Sequence, residues 1–175
     1  MATTYQAIAS QVLASTAASV TFSSIPGTYT DLKLVYSYRD SNSGGVGSGA
    51  QYAYFNTQTG TPFSYISLYG SVSSAGSLKN PNYGWLTFDW QPQTNGSTAN
   101  TFDSGELYIP NYTSSSSIQT LSLSTSESNT TTVAITALAQ LYRGSAPITS
   151  ITLGTNGSDS YLANSRFDLY GITHI

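Results

Sequence analysis

Apolar residues recur at every second position along most of this chain, and runs of Gly, Pro, Asn and Ser cut that alternation into short pieces. A period of two puts successive side chains on opposite faces of a strand, so the pattern predicts an all-β fold. Leu32, Leu34, Tyr36 and Tyr38 share one face of a segment whose other face carries Lys33, Val35, Ser37 and Arg39. Val20 and Phe22 lead into the breaker Ile25-Pro26-Gly27, and Leu107 and Ile109 end at Pro110, which cannot donate to a ladder. Leu86, Phe88 and Trp90 alternate with Trp85, Thr87 and Asp89, and Phe167 and Leu169 alternate with Arg166, Asp168 and Tyr170. Ile151 and Leu153 precede a turn at 154–157, and Val133, Ile135, Ala137, Ala139 and Leu141 form the longest alternating run. Less regular strands fit 5–13, 51–56, 63–69 and 118–123, and no 3.6-residue stripe holds in the Ala-rich stretch 7–18. About ten short strands between turns predict one sandwich or barrel domain over residues 1–175, with 41–50 as a long flexible surface loop.

Composition narrows what such a fold can do. Charged residues make up 7% of the chain, against 30 Ser and 24 Thr, and the net charge is −3. An apolar content of 39% and an aromatic content of 13% predict a folded core rather than disorder. The hydroxyls are expected at the outward positions of the strands and in the turns. With no Cys there are no disulfides and no thiolate chemistry, and one His, His174, excludes a multi-histidine metal site. Five basic residues fall short of the roughly six to ten phosphate contacts of an ordinary nucleic-acid footprint. The most apolar stretch, 133–141, is far shorter than the roughly 20 residues of a membrane-spanning helix. The N-terminal residues lack the positive region of a secretory signal.

Local motifs carry little chemistry. Residues 45–50, GVGSGA, match a dinucleotide fingerprint in letters, but the strand-like sequence that follows them offers no helix N-terminus for a pyrophosphate. Asp40, Asn42 and Gly45 open like a calcium loop, yet Gln51 stands where a bidentate Glu belongs, and Asp and Asn also initiate turns. Asp103 and Glu106 are the nearest acidic pair in sequence; they read as a solvated turn acid and an outward strand acid rather than a glycosidase pair. His174 lies where a chain end frays. Four Asn-x-Ser/Thr triplets, at 95, 111, 129 and 156, are what chance provides in such a composition. No catalytic, cofactor or metal residues are assigned, and the chain is not expected to be an enzyme.

The aromatic residues are more informative. Trp90 shares a face with Leu86 and Phe88 and reads as core, whereas Trp85 falls on the opposite face near Tyr83. Trp85 and Tyr83, with the strand tyrosines Tyr36 and Tyr38, are candidate interface or glycan contacts, because Trp and Tyr serve both roles. Packing against the second sheet or under a covering loop is the third reading for Trp85.

Four phrases carry a family resemblance: ASVTFSSIPGTYTDL at 18–32, GELYIPNYTS at 105–114, APITSITL at 146–153 and SRFDLYGI at 165–172. In this order they resemble small virion structural proteins of tailed phages, a group abundant among marine and cyanobacterial phages. The segments cover about a quarter of the chain, and 44–100 is not matched. The resemblance implies a jelly-roll-like antiparallel β-sandwich on the particle surface, assembled in the host cytoplasm. Its expected partners are copies of itself, as a homotrimer, and other virion proteins, foremost the major capsid protein. A capsid decoration or cement protein, or a small head fibre, is the expected role. The alternatives are a tail-fibre or tail-tip module that binds a host receptor or surface glycan, and, further off, a glycosidase.

Overall fold

A strand with one apolar face needs a second sheet to cover it, and this chain provides one by sending successive strands to opposite layers. The computed structural model describes residues 4–44, 49–127 and 133–174. The first four strands are β1 (Tyr5–Val12), β2 (Ser19–Phe22), β3 (Asp31–Ser37) and β4 (Gln51–Phe55). A hairpin follows, β5 (Phe63–Ser71) and β6 (Ala75–Tyr83), and then β7 (Leu86–Asp89) and β8 (Ser104–Ile109). A second hairpin, β9 (Ile118–Glu127) and β10 (Val133–Tyr142), precedes β11 (Ile151–Thr155) and β12 (Arg166–Ile172). All the paired strands run antiparallel. The larger sheet has the order β1-β12-β3-β8-β9-β10-β5-β6 and the smaller one β2-β11-β4-β7. The fold is therefore an all-β, two-sheet sandwich, with no helix among the described residues.

The order divides the larger sheet into two halves. Its β1-β12-β3-β8 half lies with β2-β11-β4-β7 around one apolar core, built from Leu32, Leu34, Phe55, Leu107, Leu153, Phe167 and their neighbours. The two hairpins join through the β10–β5 pairing and extend that sheet as a wing, β9-β10-β5-β6. Under the wing, β7 of the smaller sheet packs against β9, β10 and β5, and Phe55 of β4 sets its ring edge-on against Phe63 of β5 and Tyr142 of β10.

The four segments 18–32, 105–114, 146–153 and 165–172 fall together in space. They supply β2 and β12 whole, most of β8 and β11 and the first two residues of β3, strands that are neighbours within the two sheets. At one end they tie to one another: Ile25 N–H donates to the Thr149 carbonyl at 2.9 Å, and Ile148 N–H to that of Tyr112 at 2.9 Å. The Tyr112 hydroxyl donates to the Pro26 carbonyl. The unmatched stretch 44–100 supplies β4, the hairpin β5–β6 and β7.

Alternation in the wing has the opposite phase to the one expected from its hydroxyls. On β9 the buried positions are Ile118, Thr120, Ser122, Ser124 and Ser126, while Leu121 and Leu123 point outward. On β10, Ala134, Thr136, Leu138, Gln140 and Tyr142 are buried, while Val133 and Ile135 are exposed. Ile118 and Tyr142 set this phase: both sit in the core, they face each other in register, and a period of two then fixes every residue beyond them. The hydroxyls of these two strands thus line the inside. Arg39, expected on an outward face, lies beyond the end of β3 and is buried.

The strand β4 begins directly after the GVGSGA stretch, so no helix is there to receive a phosphate. Residues 45–48 of that stretch and the triplet at 129–131 lie outside the described residues.

Candidate functional site

The sandwich brings Trp85 and Tyr83 together and separates them from Tyr36 and Tyr38. Tyr83 ends β6 and Trp85 precedes β7, and the sharp corner between them sets their rings 4.8 Å apart, centre to centre, at 63°. Tyr52 and Tyr54 reach Trp85 from β4, at 5.6 Å and 6.4 Å. On the other side Tyr65 of β5 meets Tyr83 at 5.2 Å and Trp90 at 5.6 Å. The six rings form a continuous, half-buried aromatic ledge across β4, the β6–β7 corner and β5. The tyrosines of β4 and Tyr65 lacked a sequence signal, because only the fold places them beside Trp85.

Tyr36 and Tyr38 are core residues, 2% and 0% exposed, and neither can touch a glycan or a second subunit. Each stacks edge-on against Phe88, and each hydroxyl finds an internal acceptor: Tyr36 donates to the Phe88 carbonyl at 3.1 Å and Tyr38 to Asp89 Oδ2 at 2.7 Å. The face they share with Leu32 and Leu34 points at β7 rather than at solvent.

The acidic residues are dispersed into structural roles. Asp103 is not a solvated turn acid: it is fully buried and accepts the Gln93 N–H at 2.5 Å. Beside it, Asp89 is also sealed between the sheets and accepts from Ser124 and the Gln91 N–H, both at 2.9 Å. Burial pushes both carboxyls above the ordinary range, and for Asp103 the neighbouring Asp89 charge adds to it. Glu106 faces outward, where it pairs with Lys33 at 2.7 Å, so the two acids expected as the nearest pair lie on opposite faces of the sheet.

Asp40 behaves as a turn former. Its Oδ1 accepts the Asn42 N–H at 2.5 Å and its Oδ2 the Gln51 side-chain amide at 2.8 Å. Gln51, the residue out of place for a calcium loop, therefore holds the carboxylate from inside. Burial raises the Asp40 pKa to about 6. Among the described residues, no cluster of three or more His, Cys, Asp or Glu could hold a metal ion. His174 is tied down rather than frayed: its Nε2 lies 2.7 Å from Asp31 Oδ2, which also accepts the Tyr108 hydroxyl at 2.6 Å.

The feature with no internal use is the outer face of the wing. Ile66, Leu68, Leu121, Leu123, Val133 and Ile135 are each between 43% and 61% exposed. The register sets them side by side: Ile66, Ala139 and Leu121 form one row across β5, β10 and β9, and Leu68, Ala137 and Leu123 the next. Shallow depressions of about 490 and 340 Å³ mark the two ends of this face, one lined by Ile66, Ala139 and Leu141, the other by Gly70, Val133 and Ile135. A contiguous aliphatic surface of this kind is uncommon on a lone soluble protein and marks a contact with another molecule.

No family model matches the chain, and no curated protein matches it either.

Proposed function

We propose that this chain is a structural protein of a tailed-phage particle, a capsid decoration protein or small head fibre with a jelly-roll-like fold. The observation that carries the proposal is the aliphatic outer face of the wing, which has no function in a free monomer and an obvious one in an assembly. The strand order agrees: β1-β12-β3-β8 against β2-β11-β4-β7, with the chain crossing between sheets, is the order of an eight-stranded jelly roll carrying two inserted hairpins. The four phage-like phrases lie on that eight-stranded part. Asp89 and Asp103 are buried and Glu106 faces outward in a pair with Lys33, so these three do not form the exposed carboxylate pair that glycoside hydrolysis uses. Reconstruction of the native particle tests the proposal: hundreds of copies on the head are expected, and absence from the particle overturns it.

The aromatic ledge favours a second reading, a tail-tip module that stacks on host glycans. Binding on a glycan array, lost in Trp85→Ala with the fold retained, together with a few copies at one vertex, would select it over decoration.

A further inference from the structure

We infer that Asn156 is a site of spontaneous covalent modification: its side-chain amide is lost through a cyclic imide, leaving aspartate or isoaspartate at position 156. The inference stands independently of where on a particle the chain is mounted.

The chain contains its own control. The tetrapeptide TNGS occurs twice, at 94–97 and at 155–158, and these two copies hold both Asn-Gly pairs of the sequence. An asparagine followed by glycine is the pair most open to this reaction, because glycine has no Cβ to shield its backbone nitrogen. Both asparagines and both glycines are exposed, so access of water does not separate the two sites. Their backbone hydrogen bonds do. At the first site the reacting nitrogen is occupied: Gly96 N–H donates to the Asn42 carbonyl at 3.2 Å, and Ser97 N–H closes the turn on the Thr94 carbonyl at 3.0 Å. Arg39 Nη2 donates to the carbonyls on either side of Gly96, Asn95 at 3.4 Å and Ser97 at 2.9 Å. At the second site a backbone tie lies before the glycine, from Asn156 N–H to the Ala50 carbonyl at 3.1 Å. The Gly157 N–H and the Asn156 side chain have no hydrogen-bond partner among the described residues. A Cβ built on Gly157 would have no atom within 4 Å, so the ring has room to form.

The reaction needs water and nothing else. The Gly157 nitrogen gives up its proton to solvent hydroxide and attacks Asn156 Cγ. The new N–Cγ bond forms as the Cγ–Nδ2 bond breaks, and Nδ2 takes a proton from water and leaves as ammonia. Water then adds to either carbonyl of the five-membered imide and opens it. Breaking the N–Cγ bond gives aspartate. Breaking the bond from the same nitrogen to the main-chain carbonyl carbon gives isoaspartate, with the backbone rerouted through the former side chain. Either product puts a new negative charge close in sequence to Asp159, whose Oδ2 accepts Asn42 Nδ2 at 2.9 Å.

Peptide mapping by mass spectrometry, after incubation of the folded chain in mildly alkaline buffer, tests this. Tryptic cleavage at Lys79, Arg143 and Arg166 puts the two sites on separate peptides, 80–143 and 144–166, and fragmentation locates the modified residue. The Gly96 hydrogen bond must break before Asn95 can react, so Asn156 should convert about tenfold faster than Asn95. Isoaspartate together with aspartate is expected at position 156, and Asn156→Gln should leave that peptide unchanged over the same time. In the urea-unfolded chain the two rates should become equal, since the tetrapeptides are the same. Arg39→Met should speed conversion of Asn95 toward the Asn156 rate; if that variant folds poorly, the comparison of folded and unfolded wild type carries the test. Equal rates in the folded chain, faster conversion of Asn95, aspartate without isoaspartate, or a difference that persists in urea would each overturn the inference.

Discussion

At the scale of single residues, the close approaches decide the local structure. Gly171 on β12 has the Tyr29 ring lying against its backbone, and a Cβ there would stand 2.3 Å from the ring's Cγ. That atom is close to the Tyr29 backbone, so the ring cannot swing clear, and Gly171→Ala should destabilise the fold by about 1–3 kcal/mol in urea titrations. In a Tyr29→Ala background the same change should cost little, a coupling that a double-mutant cycle reads directly. Arg39 is the other decisive residue. Its guanidinium donates to the carbonyls of Thr98 at 2.5 Å, Ser97 at 2.9 Å and Thr101 at 3.0 Å, folding the 95–101 loop around a buried cation. Arg39→Met keeps the stem and removes the donors; a loss of about 2–4 kcal/mol is expected, with faster hydrogen exchange confined to that loop.

Among the elements, the wing strands show how far an alternating pattern can be read. The period of two was plain in β10, and β9 read as a less regular strand over 118–123, but which face is buried depends on where the strand joins the core. That information sits in Ile118 and Tyr142, at their ends, and not in the run between. Hydroxyls inside and aliphatics outside follow once those two anchors are placed. The strand β6 was illegible for a different reason: Gly76, Asn80 and Pro81 break any alternation, and its strand form comes from pairing with β5 alone. Of the candidate contacts, Trp85 and Tyr83 could be found because they oppose an apolar face, whereas Tyr52, Tyr54 and Tyr65 join them only through the fold. The inward hydroxyls of the wing make a prediction of their own. Thr136 Oγ1 and Thr120 Oγ1 are buried with no hydrogen-bond partner among the described residues. Thr136→Val keeps the shape and removes an unpaired polar group, so thermal unfolding should show a stabilisation of about 1 kcal/mol. Destabilisation would mean that the hydroxyl is bonded in solution.

For the molecule as a whole, the sparse charge makes its pH response unusually simple. Of the eight acidic residues, four are buried: Asp31, which pairs with His174, and Asp40, Asp89 and Asp103. Burial raises the pKa of Asp40, Asp89 and Asp103 above the ordinary carboxylate value of 3.8, to about 6 for Asp40. A carboxyl whose folded pKa is raised binds its proton more tightly in the native state than in the unfolded chain. Its contribution to stability is therefore complete below pH 3.8 and is lost as the pH climbs through the folded value. Acidification from neutrality toward pH 4 should accordingly stabilise this protein, opposite to the usual course in which paired carboxylates lose their partners. The urea midpoint is expected to rise steadily over that interval. Asp103→Asn replaces one of the buried acids by a neutral group of the same shape, and should both flatten the pH dependence and raise the midpoint at neutral pH. A midpoint that falls between pH 7 and pH 4 would show that Asp89 and Asp103 are held as carboxylates by their donors, Tyr38, Ser124 and the backbone N–H groups of Gln91 and Gln93, against the cost of burial.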